Sequence, residues 1–228
     1  QNLVRDMHKL YSLMHAEYPK APYFLMGHSM GSFLARSYAA QFGNELTAAV
    51  FMGTCGPQNR MVFAAERKLA DRMVDKFGAK SHHPLFSRMS IERFNKAFAP
   101  NRTPSDWVTR DEAEVDRYVA DPLCGFDFTV SGYRDVVYLQ SEVTSDDWLR
   151  RLPKTLPVLL ISGDQDPLGD FGKGIRRLLT RLQETGHDAE MILYPGARHA
   201  LITETNRDEV YRDLLSYLEK HFLRLDKE

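Results

Sequence analysis

The tightest constraint on this chain is the run Gly27-His28-Ser29-Met30-Gly31. It stands between a short apolar stretch, Tyr23–Gly27, and a segment of helical periodicity marked by Phe33, Leu34, Ser37 and Tyr38. A serine that joins a strand directly to a helix sits on a sharp turn with its hydroxyl exposed, and flanking glycines let the backbone take strained angles. The pattern G-x-S-x-G also arises by chance in glycine turns, but the strand before it and the helix after it set this instance apart.

The rest of the chain supplies matching elements. Leu3, Met7, Leu10 and Met14 give residues 1–18 one apolar helical face, which Pro19 and Pro22 end. Buried-strand runs are expected at 47–52, 158–162 and 191–194. Helices are expected over 175–185 and around Tyr211, Leu214, Leu215, Leu218 and Phe222, with Thr205 or Asn206 as N-cap of the last. Strands alternating with helices predict an α/β chain with a parallel sheet. Residues 58–151 read differently: charged, aromatic and broken by Pro84, Pro100, Pro104 and Pro122, with short amphipathic helices at 63–77 and 111–119. The expected division is a core of 1–57 and 152–228 with a helical insertion of 58–151.

Composition narrows the function classes. With 228 residues and a formal net charge of -1, nothing draws the chain to nucleic acid. No apolar run approaches the ~18 residues of a membrane-spanning helix. The two cysteines, Cys55 and Cys124, have no metal-ligand spacing and fit a reducing compartment, so the expected location is cytoplasmic. Asp164, Asp166 and Asp170 make a poor calcium loop, because Leu168 stands where an oxygen ligand is needed. Gly169–Gly174 matches neither nucleotide-binding glycine pattern. No metal and no cofactor are expected, and oligomeric state is open.

A serine hydroxyl is a poor nucleophile at neutral pH and needs a base, an acid to orient that base, and donors for the oxyanion. Ser29 is the candidate nucleophile, and the backbone N–H of Met30, at the helix start, is a candidate oxyanion donor. His199 follows the last strand on the loop Pro195-Gly196-Ala197-Arg198-His199 and is the candidate base. His8, His15 and His221 fall in helices, His82 and His83 in the insertion, His187 after a helix stop, and His28 in the elbow itself. Two carboxylates compete for the acid, Asp164 and Asp166, both just past the strand 158–162.

Together GHSMG, ISGDQDPLG and YPGARHALITETN resemble the monoacylglycerol lipase and lysophospholipase-like branch of the α/β-hydrolases, also described as serine aminopeptidase-like. The segment NKAFAPNRTPSDWVTRDEAEVDRYVADPLCGF is similar to the helical cap of bacterial members. The resemblance implies an α/β-hydrolase fold and cofactor-free hydrolysis of a small or lipid-like carboxylic ester through an acyl-enzyme. Its strand-end pattern G-x-x-D selects Asp166 and leaves Asp164 to hold backbone N–H groups. It also implies a helical cap lined by apolar residues that receive the substrate, for which Phe86, Phe94, Phe98, Trp107, Leu123, Phe126 and Phe128 are candidates, with His28 of the elbow as a further substrate-binding candidate. A thioesterase, a peptidase or an inactive hydrolase-fold protein would carry the same triad residues.

Two departures stand out. The family often has Glu after the Arg-His pair, where this chain has Ala200. By the fold's usual order, roughly eighty residues would precede Gln1, including several strands and an HG-type oxyanion loop. The expectation is a truncated product with N-terminal strands missing and a bare strand edge at 23–27. Losing one oxyanion donor would cost about 3–4 kcal/mol in the transition state, so such a piece would be poorly stable and nearly inactive.

Overall fold

A computed structural model describes residues 2–87 and 92–225. Helix α1 (Asn2–Glu17) leads into strand β1 (Phe24–His28), helix α2 (Met30–Phe42) and strand β2 (Ala48–Met52). Six helices follow: α3 (Arg60–Phe77), α4 (Pro84–Ser87), α5 (Arg93–Lys96), α6 (Glu112–Ala120), α7 (Val130–Val143) and α8 (Asp146–Arg151). The chain closes with β3 (Val158–Gly163), α9 (Lys173–Glu184), β4 (Ala189–Tyr194) and α10 (Arg207–Leu225). The four strands form one sheet in the order β1-β2-β3-β4, every pair parallel.

The central strands are apolar on both faces because both faces are covered by helices. Alternate residues point to opposite sides. Ala49, Phe51, Val158 and Leu160 join a core with Phe33, Ala35 and Ala39 of α2 and Ile175, Leu178 and Leu182 of α9. Ala48, Val50, Met52, Leu159 and Ile161 pack instead against Val210, Leu214 and Tyr217 of α10. Helix α1 lies on α2. Strand β1 pairs only with β2 among the described residues, and its Met26 is 54% exposed.

The structure refines several element bounds. Strand β4 starts at Ala189, two residues before its apolar run, because its outer edge is half-exposed and alternates with Glu190. Helix α10 begins directly after Asn206. Helices α3 and α6 fall where their periodicity placed them, capped by the side chains of Asn59 and Asp111. Sequence reading did not single out α7 and α8. Helix α7 begins at a Thr129 cap, contains Gly132 and valines, and pairs with α3 through Ala70, Met73 and Val130. Helix α8 begins at a Ser145 cap and sends Trp148 and Leu149 into the main core.

A buried cation ties this insertion to the sheet. Arg36 of α2 is wholly buried and donates to Thr54 Oγ1, to Cys55 O at 2.8 Å and to Val143 O at the end of α7. Its guanidinium lies 4.3 Å from the ring of Trp148, whose indole N–H donates back to Arg36 O at 2.7 Å. Burial pulls the Arg36 guanidinium down to about 10, so it stays charged at neutral pH.

Candidate active site

Ser29 sits at φ 56° and ψ −123°, in the left-handed half of backbone space that non-glycine residues avoid. Holding it there costs on the order of 1–3 kcal/mol, which the surrounding hydrogen bonds offset. Its N–H donates to Met52 O at 3.1 Å, and its carbonyl accepts Ser32 N–H at 2.9 Å. The turn is possible because Gly27 has no side chain: a Cβ there would lie 2.2 Å from Gly31 O. Met30 is the first residue of α2, so its N–H has no partner within the helix.

Asp166 is fully buried behind the end of β3. One carboxylate oxygen accepts Leu168 N–H at 2.9 Å and the other accepts His199 Nδ1–H at 2.9 Å. The turn behind it is tight. Asp170, Phe171 and Gly172 have φ of 54°, 52° and 77°, and Phe171 N–H returns to Asp166 O at 2.9 Å. Asp164 faces elsewhere and accepts Gly196 N–H at 2.8 Å, so it anchors the histidine loop and does not touch the imidazole.

His199 is 3% exposed, and its loop crosses the end of β3 so closely that a Cβ on Gly163 would meet Ala197 O at 2.0 Å. His28 supports it from the elbow: His28 Nε2–H donates to His199 O at 3.2 Å, and the two rings lie 4.7 Å apart. Burial, and then the neighbouring His199, pull His28 down to about 4, so it is neutral at physiological pH. The elbow thus touches the buried His199–Asp166 pair through His28, the residue before Ser29. No hydrogen bond joins the Ser29 hydroxyl to His199 among the described residues. Such contacts are often loose before substrate binds.

Residues that sequence reading passed over hold this loop in place. Glu204 is fully buried and accepts Arg198 N–H at 2.7 Å, Arg110 N–H at 3.2 Å, Arg110 Nε–H at 2.9 Å and Thr205 N–H at 3.0 Å. Arg198 donates to Asp106 O and Thr109 O, while Ala200 N–H donates to Val108 O at 2.7 Å. Residues 106–110 of the insertion are therefore fastened to the histidine loop on both sides of His199. Glu204 lies inside the stretch ARHALITETN, but one more carboxylate near a helix start carries no sign of burial in sequence.

The aromatic candidates separate. Trp107 lies with its ring centroid 4.7 Å from that of His199 and 5.2 Å from Phe94. Phe98 lies under the Arg198 guanidinium at 4.3 Å. Phe128 instead lines a groove of about 1040 Å³ between α1, α2, α3 and α7, together with Met30 and Leu34. Leu123 and Phe126 are 80% and 59% exposed and do not line that groove. Phe86 falls in α4, and its side chain lies outside the described residues.

Comparison with known proteins agrees with this architecture. The sequence model of the family described as serine aminopeptidase, S33 matches residues 1–206. The chain is 26% identical over 219 residues to a monoacylglycerol lipase of Mycolicibacterium smegmatis, covering 96% of this chain and 69% of that one. It is 27% identical over 206 residues to the monoglyceride lipase of Rattus norvegicus, covering 90% of this chain and 60% of that one. Among solved structures, a highly thermostable carboxyl esterase from Bacillus coagulans, in complex with glycerol, superposes with a TM-score of 0.88 at 27% identity. That match covers 95% of this chain and 70% of the esterase. The chain thus spans about two thirds of the length of the relatives it matches.

Proposed function

Since this chain belongs to the serine aminopeptidase S33 family and has the α/β-hydrolase fold, we propose that it hydrolyses carboxylic esters of lipid-like alcohols, monoacylglycerols foremost, through an acyl-enzyme on Ser29. The observation that carries this reading is the buried Asp166–His199 pair at 2.9 Å, touched by His28 of the turn that holds Ser29 at positive φ.

In this reading the Ser29 hydroxyl gives its proton to His199 Nε2 as its oxygen attacks the ester carbonyl. Asp166 holds Nδ1–H, fixing the tautomer that leaves Nε2 free to accept, and balances the imidazolium that forms. Met30 N–H stabilises the oxyanion. The imidazolium then protonates the departing alcohol, and a water molecule repeats the sequence to release the acid. The groove beside Met30, Leu34 and Phe128 is apolar where it adjoins the elbow and would take the acyl chain. The helices between β2 and β3 act as its cap.

A fluorophosphonate probe tests the reading. Labelling should map to Ser29, vanish in Ser29→Ala and in His199→Gln, and be blocked by monoacylglycerol in a manner that depends on acyl length. Labelling that survives Ser29→Ala or His199→Gln defeats the proposal.

A further inference from the structure

Trp107 is the insertion's direct contact with His199. The ring centroids are 4.7 Å apart and the planes meet at 34°, within the range in which an aromatic face attracts a cation. The indole is 8% exposed, and its N–H has no hydrogen-bond partner among the described residues. A buried donor without a partner is costly, so packing of the ring face, not a hydrogen bond, accounts for its position. The backbone N–H of Trp107 donates to Asn95 Oδ1 at 3.0 Å, and the carbonyl of the next residue, Val108, accepts the backbone N–H of Ala200 at 2.7 Å. Indole and imidazole are thus held against each other, at a tilt of 34°, by the backbone on both sides.

We propose that Trp107 is a positioning residue whose indole face stabilises the protonated form of His199, so that the insertion contributes to the proton-transfer step as well as to substrate enclosure. The proposal rests on the reading of His199 as the base. A neutral imidazole gains little from the ring's negative face, whereas an imidazolium gains a cation–π attraction in a water-poor setting. The stabilisation therefore appears as the proton arrives, which is when it counts toward rate.

The charged groups around the imidazole do not replace this contact. Asp166 binds Nδ1 from the β3 side. His28, on the elbow, is neutral. On the loop itself, Arg198 turns away to Asp106 O and Thr109 O, and Glu204 binds backbone N–H groups and Arg110. Asp106 accepts Arg102 N–H and Thr103 N–H within its own turn, and Asp164 holds Gly196 N–H.

The test follows the His199 ring by NMR in protein with labelled histidine, its signal among the eight histidines assigned by its loss in His199→Gln. Replacing Trp107 by Leu keeps bulk but removes the aromatic face, and should lower the midpoint of the His199 titration by about one pH unit. Trp107→Phe should give a smaller drop. Incorporating 5-fluorotryptophan weakens the ring face without changing its shape, and should lower the midpoint in the parent but not in Trp107→Phe, where Trp148 is the sole tryptophan left. Should the leucine variant fail to fold, the fluorinated chain decides. A midpoint unmoved by fluorination, or moved equally in Trp107→Phe, overturns the proposal. Ser29 labelling is scored separately, so failure of the enzymatic reading is distinguishable from failure of the ring contact.

Discussion

The buried carboxylate of Glu204 accepts the backbone N–H of Arg198 at 2.7 Å, one peptide ahead of His199. The same carboxylate binds Arg110 in the insertion. It therefore positions the loop and the insertion together. An amide at 204 would offer one acceptor oxygen to donors that now share two. Glu204→Gln should lose about 3 kcal/mol or more of stability, read as a fall in melting temperature of about 6–12 °C. It should also slow Ser29 labelling. Unchanged melting would remove Glu204 from this role.

The two aspartates past β3 should separate in kinetics. Asp166→Asn leaves the shape intact but turns the imidazole toward the wrong tautomer, and should slow ester turnover or probe labelling by about 10⁴-fold. Asp164→Asn disturbs only a bond to Gly196 N–H and should cost far less than that. Equal losses in the two variants would contradict the assignment.

His28 makes the fold sensitive to acid. Its folded value near 4 lies below the free-histidine value of 6.5, so the unfolded chain binds the extra proton first. Stability from this group is complete above pH 6.5 and declines as pH falls toward 4, by up to about 3 kcal/mol. Urea unfolding at a series of pH values should show that slope, and His28→Asn should flatten it. An unchanged slope in the variant would place the acid sensitivity elsewhere.

Arg36 holds three acceptors in the core, including the last carbonyl of α7. Arg36→Ala strands those acceptors and opens a cavity under Trp148. A loss of about 3–5 kcal/mol is expected by chemical denaturation. A loss below about 1 kcal/mol would show that water replaces the guanidinium freely.

Much of this arrangement was legible before any coordinates. The four strands stand out because two-sided burial writes continuous apolar runs, as in Ala48–Met52 and Val158–Gly163. Ser29 stands out as a candidate because a strand, a glycine-flanked turn and a helix meet within a few residues, and strand ends point to His199 and to Asp164 or Asp166, between which only the family's G-x-x-D pattern chooses. What sequence does not encode locally is partnership across distance. The pairings of Arg36 with Val143, Glu204 with Arg110 and Trp107 with His199 span 107, 94 and 92 positions, and nothing local in the sequence signals any of them. The aromatic residues of the insertion show the same limit. Phe94, Phe98 and Trp107 cluster at the histidine loop, while Leu123 and Phe126 face solvent, and no periodicity in that stretch separates the two groups.

The insertion is fastened at two abutments, residues 106–110 on the histidine loop and the end of α7 on Arg36. The span 112–129 runs between these fixed points, and its Leu123 and Phe126 protrude into water. Shortening or stiffening that bridge should therefore alter which substrates pass while leaving the seating of His199 undisturbed.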